Sequence, residues 1–470
     1  MCCANPRERT ARARELNSAD GGHGDPQFAS ALLREYRRLA GLFAAELRSF
    51  ERKRYVNLSQ ASNKAMNLNS YIGLMGRSFR EDRRPDGIHL EPCDSVEADF
   101  SIPNPDYLIT LDADSLLLSD YAMRLVHFME QPQNRRVAVA QTPYSAVPGT
   151  LNTMERVAGA TTDIQHIIHQ GFTRFDATYW VGANALLRRA ALEEIAETSL
   201  ERGFAVTKFI QDRTVIEDTE SSVDLIRRGW RLYNYPERLA YSATPPDFGA
   251  LVIQRRRWAN GGLIILPKLL AYLGRGLHRL ATPPEAMMRI HYLTSLAGVS
   301  LALLLLMAHS FEQSLRNYWL PLTALPYFFL YGRDLVRSGY SWADLPRVYA
   351  LVLLLIPVNL GGVSRSLYQA CTGRATPFGR TPKVADRTAA PPLYVLAAVG
   401  ILIWCVAYMI ADIEKARWAH AVFLLANAGF MAYAIARLIG LREAWADVRS
   451  AWPAVESNKG LRRLAVREVE

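Results

Sequence analysis

Two aspartates separated by one residue follow an apolar run that predicts a buried strand. In DYLITLDADS, residues 106–115, the apolar run ends at Leu111 and is followed by Asp112 and Asp114. Ligands of open α/β sheets bind at the carboxyl ends of strands, and two carboxylates there can hold Mg²⁺ or Mn²⁺ together with phosphate oxygens. A polar turn is the alternative explanation, because Asp and Ser favour turns. The pair predicts a metal site only in combination with other motifs.

Three acidic residues lie together at the start of a predicted amphipathic helix. The segment VIEDTESSVDLIRRGW, residues 215–230, places Glu217, Asp218 and Glu220 in the first helical turn. Acids at this position are favoured by the helix dipole, so a capping role is one explanation. Carboxylates this close also repel one another, which raises the pKa of one of them and suits a general base.

A third motif, QRRRWANGG at residues 254–262, combines an amide, a guanidinium and an indole. On a helix, Gln254, Arg257 and Trp258 lie on adjoining faces of one turn. Arg offers two parallel hydrogen bonds to a phosphate, and Trp offers a flat face for a sugar ring. A lipid-facing anchor is an equally good explanation, because apolar segments follow the motif.

The motifs lie in a region where short apolar runs alternate with helical patterns. The apolar runs that predict strands are 106–111, 137–140 and 179–181. The helical patterns are 119–130, 187–200 and 217–229. This alternation is typical of an α/β sheet with helices outside it. Earlier in the chain, residues 1–24 predict no fixed structure, residues 25–54 a helix, and residues 76–105 a loop insertion rich in Arg, Asp and Pro.

Composition changes in the second half of the chain. The sequence has 470 residues and a formal charge of +10 at pH 7. Residues 1–286 contain no long uncharged run, whereas a helix needs about 20 apolar residues to cross a bilayer. Uncharged runs near that length follow at 290–308, 317–332, 348–364, 388–411 and 418–436. A soluble domain followed by a membrane domain is therefore predicted, which excludes both a wholly soluble enzyme and a pure membrane bundle.

The charges of the connecting segments predict four membrane crossings, because Lys and Arg collect in cytoplasmic loops. The basic segment 365–387 is expected on the same side as the preceding domain. The run 348–364, which contains Pro357 and a Gly pair, is therefore predicted to be interfacial or re-entrant. The predicted crossings are 290–308, 317–332, 388–411 and 418–436. A plain membrane anchor is the alternative role for these helices.

Other features narrow the class of protein. The amino terminus lacks the apolar core of a signal peptide, so the first domain is expected in the cytoplasm. The five cysteines include no C-x-x-C pair and predict no disulfide framework. Basic residues are not interleaved with aromatic ones, so no nucleic acid partner is expected. His166 and His169 have no third ligand nearby and are assigned to a helix face.

In this order, and followed by apolar helices, the three motifs resemble those of the processive family 2 glycosyltransferases, the group of cellulose synthase and hyaluronan synthase. The resemblance covers residues 64–383, with Asp-x-Asp, Glu-Asp and Gln-x-x-Arg-Trp in sequence. Three further segments are similar to the family's nucleotide-binding lysine segment, acceptor-end loop and gating segment. They are SNKAMNLNSYI at 62–72, YWVGANALLRRAAL at 179–192 and FGRTPKV at 378–384.

The resemblance implies a role for each motif residue. Asp112 and Asp114 would bind Mg²⁺ or Mn²⁺ and the nucleotide phosphates, and Asp218 would take the proton from the acceptor hydroxyl. The other expected contacts to the nucleotide-sugar are Lys64, Gln254 and Arg257. The expected contacts to the acceptor are Trp258, Gly182 and Trp180.

The resemblance also implies a fold and a function. The expected fold is a GT-A-like, Rossmann-related α/β catalytic domain in the cytoplasm, followed by an α-helical transmembrane domain in the plasma (inner) membrane. The expected activity is transfer from a UDP-sugar, UDP-glucose or a relative, to a growing polysaccharide with inversion to a β-linkage. In the family the membrane helices line a channel for the polymer, and an accessory export subunit is a further expected partner.

The expected domain boundaries follow from the same resemblance. They are 1–54 for a polar and helical segment, 55–286 for the catalytic domain, 287–440 for the membrane helices with an interfacial or gating segment at about 348–387, and 441–470 for a cytoplasmic tail.

Two alternatives stay open. One is a non-processive family 2 transferase that makes a lipid-linked or oligosaccharide product. The other is a catalytically inactive membrane scaffold, suggested by one departure from the family. Family members carry, well before the Asp-x-Asp motif, a strand with an Asp that reads the uracil base, whereas residues 1–60 here are charged and predicted to be helical. The base-binding unit is expected either outside this sequence or from a different source.

Overall fold

The computed structural model describes residues 26–43, 48–147, 152–275, 282–309, 324–374, 379, 381–382 and 386–450. Several predicted features lie outside these residues: the amino-terminal segment 1–24, residues 317–323 of a predicted crossing, part of the predicted gating segment, and the tail beyond residue 450. Of the helix predicted at 25–54, Pro26–Phe43 is helical, and Arg52–Arg54 forms a single 3₁₀ turn.

The strands are short and numerous, as is usual for a mixed α/β domain. In chain order they are β1 (Ser78–Arg84), β2 (Gly87–Cys93), β3 (Phe100–Ser101), β4 (Tyr107–Leu111), β5 (Ser115–Leu117), β6 (Val137–Gln141), β7 (Tyr144–Ala146), β8 (Asn184–Arg188), β9 (Glu197–Glu201), β10 (Phe204–Lys208), β11 (Arg231–Asn234) and β12 (Ala240–Ser242).

The longest described helices lie in the second half of the chain. In chain order the helices are α1 (Pro26–Phe43), α2 (Lys64–Ile72), α3 (Tyr121–Glu130), α4 (Thr153–Thr173), α5 (Arg189–Glu194), α6 (Glu217–Arg227), α7 (Phe248–Arg275), α8 (Pro283–Ala308), α9 (Leu325–Arg337), α10 (Asp344–Thr372), α11 (Pro392–Glu414), α12 (Trp418–Ala434) and α13 (Leu441–Ser450). A π-helical segment, Ile435–Gly440, joins α12 to α13.

The central sheet has four strands in the order β11-β6-β8-β4. β6 pairs in parallel with β11, and β8 lies antiparallel between β6 and β4. Every residue of β6 is buried, as its continuous apolar sequence requires for a strand covered on both faces. Within the described part of the chain, β4 forms an edge of this sheet. The residues that follow its carboxyl end, Asp112 and Asp114, line a cleft.

A second sheet, in the order β5-β12-β7, lies beside that cleft. β5 begins directly after Asp114 and pairs antiparallel with β12, which in turn pairs in parallel with β7. This pairing holds the chain immediately after the Asp-x-Asp motif. It therefore fixes the position of the motif between the two sheets.

The segment 76–105, predicted to be a loop insertion, forms an antiparallel sheet in the order β2-β1-β3, so that prediction was wrong. The sheet buries few residues, chiefly Phe79 and Leu90, against Tyr55 and Ile102. Charged pairs such as Arg84 with Glu91, 2.9 Å apart, cover its exposed face. The high charge of the sequence hid a strand pattern that has only one apolar face.

The prediction of a helix at 187–200 was also partly wrong. Residues up to Arg188 belong to β8, only Arg189–Glu194 are helical, and the hairpin of β9 and β10 follows. The Ala and Leu side chains of this segment favour a helix by propensity. Leu187 is nevertheless fully buried in the central sheet, so tertiary packing decides its conformation. The short apolar run 179–181 is an irregular segment that leads into β8.

Four of the described helices are long and apolar enough to cross a membrane: Pro283–Ala308, Asp344–Thr372, Pro392–Glu414 and Trp418–Ser450. They agree in number with the four predicted crossings but differ in one member. Asp344–Thr372 is long and apolar enough although it was not among the predicted crossings. The predicted crossing 317–332 is described only from residue 324, where α9 begins at Leu325, so that prediction is not tested. An α/β domain followed by a helical region is confirmed.

The run 348–364, predicted to be interfacial or re-entrant, lies in one continuous helix, α10, from Asp344 to Thr372, so Pro357 and the Gly pair do not end it. The glycines serve close packing instead. A Cβ added at Gly362 would lie 2.6 Å from the Arg256 carbonyl oxygen and 2.7 Å from the Ala259 side chain, both on α7. A side chain at Gly362 would therefore push apart the helix that carries the Gln-x-x-Arg-Trp motif and the long apolar helix beside it.

Candidate active site

The structure brings the predicted site residues, with one exception, to a single cavity of about 540 Å³ at the carboxyl end of β4. We call it the first cavity. The predicted residues in its wall are Lys64, Asp112, Asp114, Gly182, Asp218, Gln254, Arg257 and Trp258. They come from segments far apart in the sequence, so the sheet and α7 must both form before the cavity exists. Thr381 and Pro382, from the segment predicted to gate the site, also lie in this wall.

The two aspartates stand where the chain leaves β4. The Asp112 amide donates to the Ala183 carbonyl at 3.1 Å, and the Ser115 amide donates to the Asp112 carbonyl at 3.0 Å. These bonds form a turn between β4 and β5. The Ser242 hydroxyl, on β12, lies 3.5 Å from the Asp114 carboxylate. Both carboxylates therefore face the first cavity from one short, well-held turn.

Lys64 is the first residue of α2, where the Asn63 side chain caps the helix by accepting from the Met66 amide at 2.7 Å. A cation is disfavoured at a helix amino terminus, so its position needs a compensating anion. The Lys64 ammonium donates to the Asp112 carboxylate, and to the Gly182 carbonyl at 2.8 Å. Burial acts to lower the pKa of Lys64, but Asp112, Glu217 and Asp218 outweigh it, and the pKa is raised.

Glu217 and Asp218 begin α6 and line the first cavity together. Burial, and then the neighbouring Asp218 carboxylate, raise the pKa of Glu217 to about 7. Burial also raises the pKa of Asp218, against the opposing effects of Lys64 and of the Thr219 amide, which donates to the Asp218 carboxylate at 2.6 Å. Two adjacent acids in a low-dielectric cavity cannot both ionise easily, which fits a group that accepts a proton near neutral pH.

Glu220, the third acid of this helical turn, points away from the cavity. It is fully buried and its carboxylate contacts Arg213 and, at 3.5 Å, Lys268. The predicted crowding of three carboxylates is thus reduced to a pair in the cavity, with the third held in an ion-pair cluster on the other side of α6.

Gly182 is required beside Asp218. Its φ of +73° lies in the left-handed region that residues with a side chain rarely adopt. A Cβ at this position would lie 2.1 Å from one carboxylate oxygen of Asp218. The backbone of the loop before β8 therefore packs directly against the Asp218 carboxylate. The Gly182 carbonyl also accepts a hydrogen bond from the Lys64 ammonium.

Trp180 is the exception among the predicted site residues. It is 1% exposed, packs in the core between the central sheet and α6, and lines neither cavity. An acceptor contact by its indole is therefore not supported. Its backbone does bear on the site: the Trp180 amide donates to the Ser222 hydroxyl at 2.9 Å, and its carbonyl accepts from Thr219 at 3.5 Å. Trp180 fastens the Gly182 loop to α6.

A second cavity, of about 260 Å³, adjoins the first and leads toward the long apolar helices. It lies among α4, α7 and α8. Both cavities have the same five residues in their walls: Tyr144, Val181, Ile216, Asp218 and Trp258. Asp218 and Trp258 thus stand at the junction, with the Asp-x-Asp motif on one side and helix α8 on the other.

His166 and His169, assigned from the sequence to a helix face, lie on α4 and line the second cavity. Burial lowers the pKa of His166 to about 3 and that of His169 to about 4, so both rings are neutral at physiological pH. The described residues contain no group of three or more His, Cys, Asp and Glu side chains that could hold a metal by themselves.

Asp112 and Asp114 fit a divalent cation that arrives with a ligand. They supply two hard oxygen donors from one turn, and Mg²⁺ commonly uses one or two carboxylates together with substrate phosphates and water. The Asp112 carboxylate is ion-paired with the Lys64 ammonium, so such a cation would have to displace that ammonium.

Sequence reasoning missed Arg255, which lines the second cavity beneath Trp258. It occupies an unassigned position of the Gln-x-x-Arg-Trp motif. Helical spacing could have indicated it, because Arg255 and Trp258 are three residues apart and so share a helix face.

Comparison with known proteins finds similarity to glycosyltransferases. Residues 107–331 match the family model described as glycosyl transferase family group 2. The chain is 30% identical over 177 residues to the cellulose synthase catalytic subunit (UDP-forming) of Komagataeibacter sucrofermentans, covering 37% of this chain and 22% of that protein. It is 29% identical over 199 residues to glucans biosynthesis glucosyltransferase H of Bradyrhizobium diazoefficiens, covering 41% and 24%.

The chain thus matches about a quarter of the length of these relatives. A mannosyltransferase from Pyrobaculum calidifontis, solved with GDP-Man and Mn²⁺, aligns with a TM-score of 0.34 and 15% identity, covering 56% of this chain and 63% of that one. That level of similarity does not bear on function.

The family match over residues 107–331 and the relatives show that this chain is similar to family 2 glycosyltransferases of the cellulose synthase type. The predicted fold, a GT-A-like α/β domain followed by apolar helices, is confirmed.

Proposed function

We propose that this protein is a membrane-embedded inverting β-glycosyltransferase that adds sugar from a nucleotide-sugar, UDP-glucose or a related UDP-sugar, to a growing polysaccharide. The observation that carries the proposal is the placement of Asp218 and Trp258 at the junction of two cavities. One cavity holds the Asp-x-Asp pair, Lys64 and Arg257, which suit a diphosphate. The other leads away along α8, which suits an acceptor chain.

The donor would bind in the first cavity. Asp112 and Asp114 would hold Mg²⁺ or Mn²⁺ against the diphosphate, and the cation would neutralise charge on the leaving group. Lys64, Gln254 and Arg257 offer hydrogen-bond donors in the same wall. Positive charge at this point stabilises the nucleoside diphosphate as its bond to the sugar breaks.

Asp218 is the proposed general base. It would take the proton of the acceptor hydroxyl as that oxygen bonds to the anomeric carbon, while the bond from that carbon to the phosphate oxygen breaks and the diphosphate leaves with the electron pair. Attack opposite to the leaving group converts an α-linked donor into a β-linked product. Glu217 lines only the first cavity, whereas Asp218 lines both, so Asp218 is the carboxylate that faces both donor and acceptor.

Trp258 is the proposed platform for the terminal sugar of the acceptor, because its indole lines both cavities. Gly182 contributes the backbone beside Asp218. The proposed boundaries stay those of the sequence: a polar amino-terminal segment to residue 54, a catalytic domain from 55 to 286 and apolar helices from 287 to 440. We place the catalytic domain in the cytoplasm and the helices in the plasma (inner) membrane.

The test is a transfer assay on purified membranes with a panel of labelled UDP-sugars. High-molecular-weight product from one of them supports the proposal. A small, lipid-soluble product indicates a non-processive transferase. Absence of both product and donor hydrolysis with every sugar of the panel overturns the proposal and favours a scaffold subunit.

A further inference from the structure

A third cavity, of about 330 Å³, lies at the end of the apolar helices that is remote from the α/β domain. We call it the distal cavity. Helix α11 begins beside the α/β domain, where the Thr388 amide donates to the Asp247 carboxylate at 2.9 Å, and its 23 residues extend about 35 Å. The wall of the distal cavity comes from the ends of α8 and α11, the start of α12 and the turn between α11 and α12. It shares no described residue with the first and second cavities.

Two buried side chains in this wall, Asp412 and His420, balance each other in charge. They are 4% and 1% exposed. The Nδ1 of His420 contacts the Asp412 carboxylate, and its Nε2 lies 3.0 Å from the Leu306 carbonyl oxygen, on α8. Both of these oxygens accept hydrogen bonds, so Nε2 carries one proton and a second is held between Nδ1 and the carboxylate. Whether that second proton belongs to the ring or to the carboxyl group, the pair has no net charge.

Two further cations, Lys415 and Arg417, line the distal cavity and leave it positively charged. A terminal nitrogen of Arg417 lies 3.5 Å from the Asp412 carboxylate, whose charge His420 already balances. Lys415 is exposed, and no acidic side chain of the described chain forms an ion pair with it. Asp412 is the only acidic residue in the described wall. The excess of positive charge therefore suits an anionic ligand.

The position of this charge indicates which anion would bind. Lys and Arg of membrane proteins collect in cytoplasmic loops, so the end of the helices away from the α/β domain is expected to contain few of them. Tyr408, in the wall, and Trp418, the first residue of α12, are 44% and 59% exposed. Exposed Tyr and Trp at the ends of apolar helices favour the depth of the lipid headgroups. Phosphate groups are concentrated at that depth, and both Arg and Lys bind phosphate oxygens.

We propose that the distal cavity is a phosphate-binding site, in which Lys415 and Arg417 hold the phosphate group of a membrane lipid or a free phosphate ion. The Asp412–His420 pair positions Arg417 and ties α12 to α8 through the Leu306 carbonyl. The inference goes beyond the proposed function: it uses the membrane placement of the helices, but no step of sugar transfer.

The binding experiment uses the full chain, purified in detergent and freed of lipid. The probes are phosphatidylglycerol, a diacylglycerol with the same acyl chains but no phosphate, and inorganic phosphate, each measured by thermophoresis of the labelled protein. We expect phosphatidylglycerol to bind at least about tenfold more tightly than diacylglycerol, the effect of a single charge-assisted contact. Inorganic phosphate that binds as tightly as phosphatidylglycerol indicates a site for the free ion, and weaker binding of the ion indicates a lipid site.

Variants assign the effect to the distal cavity. Lys415→Gln and Arg417→Gln should each weaken binding of the phosphate probe about tenfold, and Lys415→Arg should retain it. Lys415 is exposed, so its variants test the site even if Arg417→Gln, which loses the contact to Asp412, does not fold. Arg442→Gln is the matched control, because Arg442 is exposed beyond the opposite end of α12.

Three results overturn the inference. One is equal affinity for phosphatidylglycerol and diacylglycerol together with no binding of inorganic phosphate. Another is unchanged binding in Lys415→Gln. The third is an equal loss in Arg442→Gln, which would mean that the anion is attracted by the overall charge and not by the distal cavity. Hydrolysis of the UDP-sugar on the same preparations reports separately on the proposed function, and we expect Lys415→Gln to leave it unchanged, since Lys415 lines neither the first nor the second cavity.

Discussion

Lys64 and Asp112, which are 48 positions apart in the sequence, form an ion pair across the mouth of the first cavity. The first carboxylate of the Asp-x-Asp motif is therefore already neutralised by a side chain of the protein. A divalent cation at that motif has to compete with this ammonium, and once displaced the ammonium is available to the diphosphate of the donor.

Lys64→Met should consequently have opposite effects on two ligands. In the absence of nucleotide, Mn²⁺ should bind the variant more tightly, because Asp112 no longer has a competing cation. UDP in the presence of Mg²⁺ should bind more weakly, by about 10- to 100-fold, which corresponds to one lost charge-assisted contact. Titration calorimetry measures both. Lys53→Met is the control, since Lys53 is exposed and its ammonium bonds to Ser62. Weaker Mn²⁺ binding by Lys64→Met would contradict the competition.

Asp218→Asn should leave donor affinity nearly intact and reduce turnover by about 10²- to 10⁴-fold, the usual effect of losing a general base. The amide keeps the shape of the carboxylate but cannot take the proton. Glu217→Gln is the companion variant and should reduce turnover less, because Glu217 does not line the second cavity. Binding of UDP and single-turnover rates separate the two effects. A larger rate loss in Glu217→Gln than in Asp218→Asn would move the base to Glu217.

The order of the motifs predicted which residues line the first cavity, but it did not predict the positions of Trp180 and Arg255. Asp112 follows the end of a strand, and Asp218 lies in the first turn of a helix. Trp258 lies within a helix, in a motif that the sequence alone reveals. Trp180 has the same residue type as Trp258, yet it is buried in the core. No local pattern distinguishes the two, because burial is decided by which strands pair. The same holds for Arg255, which enters the wall of the second cavity only when helices α4, α7 and α8 are packed together.

Stability should also depend on pH through Glu217. Its pKa rises from an ordinary 4.5 to about 7 on folding. The folded state thus retains a proton that the unfolded chain releases, so this group makes stability fall as pH rises between those values. Glu217→Gln removes the titration and should flatten that part of the profile. Thermal unfolding midpoints in detergent, taken across this range, give the comparison. An unchanged slope in the variant would show that Glu217 does not titrate there.

Gly182→Ala should abolish turnover because of where its methyl group would lie. The new Cβ would overlap the Asp218 carboxylate, 2.1 Å away, and its backbone has a φ of +73°. Gly203→Ala is a matched control: φ is +86° there, but a Cβ would meet nothing within 4 Å. Backbone strain of about 1–2 kcal/mol is common to both variants, so only the displacement of Asp218 distinguishes them. Similar activity in the two variants would mean that the Asp218 position is not critical.

Trp258→Ala tests whether the enzyme extends a polymer. The indole lines both cavities and lies against the Arg255 guanidinium, whereas the groups proposed to hold the diphosphate do not depend on it. We expect the variant to abolish or shorten the polymer and still hydrolyse the UDP-sugar to free sugar. A buried structural Trp would behave differently, because its loss costs about 3–5 kcal/mol of folding free energy and lowers both activities together. Measuring hydrolysis, polymer length and the unfolding midpoint on one preparation separates these cases. Equal loss of hydrolysis and polymerisation, with a lowered midpoint, would assign Trp258 to the core and remove the structural reason for a processive acceptor site.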